Sequence, residues 1–160
     1  MNLRQIQELR VKDWVFIHFS TTKEPAQVQS IFKVKEQINA TVQPLYNKDL
    51  ITFNKCDEWE QVTPIDLSEN ILNTLRFTKY ENRKLFGLVG VTYFEKNFKQ
   101  KDLLFNVNLL WEDNCFKWIQ EDSEAYFGCK STPILYLHIL QHLFFDLYGQ
   151  DMPITFNSLN

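Results

Sequence analysis

The chain has 160 residues, 44% of them apolar and 15% aromatic, with fourteen Phe and four Trp, which excludes a disordered chain and suits a sheet-rich globular fold. A formal net charge of −3 at pH 7 argues against a surface built to coat duplex nucleic acid or an anionic membrane, and no stretch approaches the roughly 20 uncharged residues of a membrane span. Residues 1–8 hold no apolar leader, and Cys56, Cys115 and Cys129 are odd in number and lack C-x-x-C spacing, so the expectation is one cytoplasmic domain over residues 1–160 with reduced thiols.

Residues 14–19 place Trp14, Phe16 and His18 on one face and Val15, Ile17 and Phe19 on the other, the pattern of a central strand apolar on both sides. The polar, proline-containing run 20–25 predicts a hairpin into a second alternating strand, 26–34. Shorter strands are expected at 38–42, 51–53 and 58–62, together a small curled, SH3-like sheet over residues 1–63. At residue 64 the period changes: Asp66 or Ser68 can cap a short helix ending near Arg76, with Leu67, Ile71, Leu72 and Leu75 on one face. Residues 84–95, 103–111 and 115–119 then predict a three-stranded antiparallel meander, with 112–114 turning between the last two. Thr132 as N-cap, Pro133 in the first turn and Gly149 as stop delimit a largely buried helix whose one polar stripe is His138, Gln141, His142 and Asp146. Residues 152–156 suit a final edge strand. The fold class is α+β, with the short helix, the meander and the last helix grouped in residues 64–160.

Three stretches resemble a family of small uncharacterised proteins encoded by phages and prophages of the Bacteroidetes. Residues 8–15, Glu-Leu-Arg-Val-Lys-Asp-Trp-Val, are similar to the family's opening E-L-R-[IV]-G-[ND]-[WY]-V, with Lys12 in place of the glycine, so the turn before the strand is expected to differ. Residues 62–72 resemble its P-I-P-L-T-E-E-[IW]-L entry into a short helix, with Asp66 where the second proline stands. Residues 136–144 resemble its Y-[VL]-H-x-L-Q-[NH]-L-[YF] helix. The resemblance implies a mobile-element protein in a bacterial host cell and supplies no catalytic residues.

His138, His142 and Asp146 are spaced one helical turn apart, as metal ligands on a helix would be, but Ile139 stands where a zincin carries its glutamate. A solvated stripe with a His142–Asp146 ion pair is the expected alternative, and His138 and Gln141 could also bond to the adjoining sheet. Cys115 or Cys129 could be paired with His18 only by supposition, and structural thiols are the simpler assignment. The four glycines form no phosphate loop. Charge is segregated: residues 76–102 hold seven basic side chains (Arg76, Lys79, Arg83, Lys84, Lys96, Lys99, Lys101) against three acidic ones, net +4, whereas residues 112–124 hold Glu112, Asp113, Glu121, Asp122 and Glu124 against Lys117 alone, net −4. That polarity suits either charged hairpin tips or a bipolar contact surface.

The expected function is therefore a non-enzymatic protein that needs no cofactor and docks on a host protein or nucleoprotein, most concretely an anti-CRISPR or other anti-defence inhibitor of an RNA-guided nuclease. Its contact residues would be the basic and acidic side chains of the meander. Two other classes remain open: direct single-stranded nucleic-acid binding, with Trp14, Phe16, Tyr46 or Trp59 as stacking platforms, and a metal-dependent enzyme built on the helix histidines.

Overall fold

The computed structural model describes residues 7–34, 37–54, 56–100, 102–120 and 129–156. The chain is α+β: the described residues include two five-stranded antiparallel sheets and the helices α1 (Glu69–Thr74) and α2 (Leu137–Tyr148). It divides into two compact units, Met1–Ile65 with Tyr136–Met152 and Asp66–Leu135 with Pro153–Asn160.

In the first unit β1 (Trp14–His18), β2 (Lys23–Val34), β3 (Gln37–Pro44) and β4 (Ile51–Phe53) form a meander, and β5 (Val62–Pro64) returns to pair with the other edge of β1. β1 is thus interior, as its two apolar faces require. β2 starts earlier than expected: Lys23, Glu24 and Pro25 pair with β1, and the turn closes through Phe19 N–H to the Thr22 carbonyl at 2.7 Å. A register shift between Val28 and Ser30 bends the β2–β3 ladder, consistent with a curled sheet. Val15, Ile17, Ala26, Val28, Val42 and Trp59 form its core. Residues 58–61, expected in a strand, instead belong to a 3-10 helical turn, Cys56–Gln61. That turn buries Trp59 against Phe53 at a centroid distance of 5.7 Å, and the indole N–H bonds to the Ile38 carbonyl.

Lys12 adopts φ +76° in the turn that precedes β1. Asp13 N–H donates to the Arg10 carbonyl at 3.1 Å, so Lys12 is the third residue of a four-residue turn, where positive φ favours glycine. Lys12 holds this left-handed conformation with its N–H and C=O both engaged, with Val28 O and with the Gln141 side chain.

α2 groups with this N-terminal sheet, not with the meander as the sequence-based division into 1–63 and 64–160 has it. Its start is also displaced. The N-cap is Tyr136, and Thr132 and Pro133 lie outside the helix, because Ser131 N–H and Ile134 N–H donate to the Trp118 and Phe116 carbonyls, both at 2.8 Å. Gly149 ends the helix as expected, in the left-handed conformation with φ +66°.

In the second unit Ser68 caps α1 by accepting from Ile71 N–H, and Leu67, Leu72 and Leu75 are buried. The sheet order is β10-β9-β8-β7-β6, from β6 (Thr78–Leu85), β7 (Leu88–Gln100), β8 (Leu103–Glu112), β9 (Cys115–Gln120) and β10 (Cys129–Lys130). The strand expected at 84–95 is two strands, turned at Phe86 and Gly87, which both have positive φ. Asp113 and Asn114, also at positive φ, make the expected β8–β9 hairpin. Residues 152–156 form no strand. Met152, the last residue of the first unit, and Phe156 of the second are both buried.

Candidate functional site

Of the polar stripe of α2, His138, Gln141 and His142 are turned away from solvent, whereas Asp146 is exposed. Gln141 and His138 are buried, while the apolar Phe145 and Leu147 of the same helix are nearly half exposed. Gln141 Oε1 accepts from Trp14 N–H at 3.0 Å and its Nε2 donates to the Lys12 carbonyl at 3.1 Å, so one side chain satisfies both backbone groups of the strand entry. His142 pairs with Asp13, not Asp146: its Nε2 lies 2.8 Å from Oδ2, and the buried carboxylate also accepts from Arg10 N–H at 2.7 Å. Asp146 reaches Arg10 at 3.3 Å. His138 is fully buried, stacked on Tyr136 with ring planes 7° apart, and neither ring nitrogen has a hydrogen-bond partner among the described residues. Burial pushes its pKa below the usual histidine value, against the opposing pull of the Asp13 carboxylate.

His142 and Asp146 thus turn to different partners, and among the described residues no three His, Cys, Asp or Glu side chains converge as a ligand set. A small concavity of about 150 Å³ beside the dyad is rimmed by Arg10, Lys12 and Asp13, each already paired, with Asp146, Asp151 and His142 respectively. His18 contacts the Thr63 hydroxyl in the first unit, and the Cys115 thiol donates to the Glu112 carbonyl in the second, so no described hydrogen bond joins them. Of the aromatics considered for base stacking, Trp14 and Trp59 are core residues, Lys23 sits over the Phe16 ring at 4.6 Å, and Tyr46 alone is largely exposed.

Strand register decides the fate of the charged meander. Side chains alternate across a strand, so in β7 Phe94, Lys96 and Phe98, paired with Leu109, Val107 and Phe105, share one face, and Glu95, Asn97 and Lys99 the other. Lys96 is not a surface contact. Its ammonium lies 4.5 Å from the Phe98 centroid and 5.7 Å from that of Phe77 and donates to the Leu75 carbonyl; burial, with Arg76 nearby, lowers its pKa. Lys99 is exposed on the opposite face, and Arg83 and Lys84 are exposed on the β6–β7 hairpin, where the register shifts on both sides of Arg83. Lys79 is held by Glu81 at 2.7 Å and Glu69 at 3.0 Å. At the next hairpin, Lys117 binds Glu112 at 2.8 Å and Asp113 at 3.3 Å. Lys101, Glu121, Asp122 and Glu124 lie outside the described residues. The described basic candidates therefore do not form one patch, and the described acidic ones are already paired.

A feature the sequence did not single out is a cleft of about 390 Å³ in the second unit. Trp111, 40% exposed, forms part of its wall and leans on Phe116 at 4.6 Å between centroids, and Phe116 meets Phe94 edge-on at 5.5 Å. Register brings these rings together, since Trp111 pairs with Thr92 on one side and Phe116 on the other. Leu67 and Ser68 from the approach to α1 also line it, with Lys79, Glu69 and Glu81 as its charged residues. The two carboxylates, Glu81 foremost, raise the pKa of Lys79 by accepting hydrogen bonds from its ammonium, so the lysine is a fixed cation and not a free amine. Among the described residues no helix is long and apolar enough to cross a membrane. No protein-family model, curated protein or solved structure matches the chain.

Proposed function

We propose that this chain is a non-enzymatic binding protein and that it contacts a partner macromolecule through the aromatic cleft of the second unit. The observation that supports it is Trp111, left 40% exposed at a cleft whose other rings, Phe116 and Phe94, are buried. A large aromatic beside a preformed pocket with a polar rim is the composition from which interface anchors are drawn. The same cleft holds no activated nucleophile: its only amine is kept protonated by two carboxylates, and no histidine or cysteine lines it. The resemblance to phage-encoded proteins supports a narrower form, an anti-CRISPR or other anti-defence inhibitor docked on an effector protein or on a nucleoprotein with its guide RNA.

The test is retention of partners from host lysate by the immobilised full chain in three forms. Wild type and Lys99→Glu, altered on the opposite sheet face, should retain the same protein, and Trp111→Ala, checked for native circular dichroism, should lose it. Equal retention by Trp111→Ala would remove the cleft from the contact.

A further inference from the structure

We infer that the cleft receives an arginine side chain presented by a protein partner; this rests on reading the cleft as a contact surface and names its ligand. Charge comes first. The rim carries one ammonium and two carboxylates, net −1, and the carboxylates of Glu69 and Glu81 are half or more exposed, with side-chain accessibilities of 51% and 66%. Each therefore keeps acceptor capacity beyond its bond to Lys79. A phosphate or carboxylate guest would meet two like charges and a lysine already bonded to both, whereas a cation meets acceptors.

The second consideration separates guanidinium from ammonium. Lys79 places its own ammonium 5.9 Å from the Phe94 centroid, so the inner end of the aromatic row already has a point cation above it. What stays open is Trp111, the strongest cation–π surface among the side chains, beside free carboxylate lone pairs. A planar guanidinium stacks on an indole and pairs with a carboxylate through its fork, and it is more weakly hydrated than an ammonium. The size agrees. About 390 Å³ is near the bottom of the roughly 300–1,000 Å³ range of small-molecule sites, room for one long side chain and not for a large cofactor.

The experiment titrates the ¹⁵N-labelled full chain with acetyl-Gly-Arg-Gly-amide and with its lysine, citrulline and glutamate counterparts, following the Trp111 indole N–H, assigned by its loss in Trp111→Phe. The arginine peptide should shift that resonance with a Kd on the order of 1–10 mM, as expected for a single side chain, and citrulline, flat but neutral, should bind at least about tenfold more weakly. Lysine should fall between them. Glu69→Gln with Glu81→Gln should remove the preference for arginine over citrulline, and raising salt should weaken the arginine and lysine peptides but not the neutral citrulline one. Citrulline binding as tightly as arginine, glutamate binding more tightly, or an indole unmoved by about 50 mM arginine peptide at low salt would each overturn the inference. Partner retention that depends on Trp111 without any arginine preference sinks only the ligand class. Arginine preference with Trp111-independent retention sinks only the partner contact.

Discussion

The two units spend polar side chains in opposite ways. In the first, Gln141 and His142 from the polar stripe of α2 bind groups around Asp13 that the turn leaves buried, and the apolar Phe145 is given to the surface. In the second, charged side chains at the strand ends bind one another at the rim, as Lys117 does with Glu112 and Asp113, while apolar and aromatic rings fill the sheet face. An interior polar group fixes geometry because an unmatched partner is expensive; a rim charge leaves the fold nearly indifferent and is free to serve recognition.

Removing one polar group from each unit sharpens that contrast most. Gln141→Ala removes the side chain that accepts from Trp14 N–H and donates to the Lys12 carbonyl, and should lower the stability of the first unit by about 2 kcal/mol. Lys117→Met keeps the aliphatic stem and deletes a charge at the β8–β9 hairpin, and should lower that of the second far less. Hydrogen exchange of β1 and β2 amides against β8 and β9 amides assigns each loss to its unit. Similar losses would break the comparison.

How much of this was legible follows the same division between local and non-local causes. Alternation found β1, β3, β8 and β9, and the Asp113-Asn114 turn and the Gly149 stop follow from residues that tolerate positive φ. The Phe86-Gly87 turn was hidden inside the apolar run Leu85-Phe86-Gly87-Leu88-Val89, which has no polar punctuation, so β6 was lost. Thr132-Pro133 is a sound local helix start that strand pairing of 131–134 overrides. Counting charges along the chain suggested a basic patch, yet period-two alternation already separates Lys96 from Lys99, and sheet register confirms it. Nothing local could show the cleft, since Trp111 needs Leu67 and Lys79, more than thirty residues away in sequence, to become its wall.

His138 offers a subtler probe, because both of its ring nitrogens are buried without a hydrogen-bond partner among the described residues. Its pKa is lowered in the folded chain, so the unfolded chain binds the proton more readily; the stability tied to this group is complete above the unfolded value near 6.5 and is lost as pH falls below it. Asp13 and Glu8 pull the pKa upward and His142 downward, and all three stay in His138→Phe, which keeps a ring against Tyr136. The variant should therefore show a shallower fall in melting temperature between pH 7.5 and 5.0 than wild type. Parallel curves would mean that His138 is protonated inside the fold without penalty.

The smallest effect belongs to Lys12, where three modest energies compete. A side chain at φ +76° is strained by roughly 1–2 kcal/mol relative to the right-handed region, a strain glycine does not feel. Glycine gives back about 0.5–1 kcal/mol through the extra freedom of its unfolded chain. It also forfeits the 2.5 Å pair between Lys12 and Asp151, whose partners are both half exposed, a loss of a few tenths of a kcal/mol that salt diminishes. Lys12→Gly should therefore come out slightly more stable than wild type, by about 0.5 kcal/mol, in urea denaturation at 0.5 M salt, and closer to neutral at 0.01 M. Lys12→Ala, which keeps the strain and drops the pair, should be less stable than wild type at low salt and below Lys12→Gly at both. The gap between alanine and glycine reads the backbone strain directly. Alanine and glycine variants of equal stability would show that the turn relaxes to a conformation any residue accepts, and that Lys12 is held at positive φ by Val28 and Gln141 at no measurable expense.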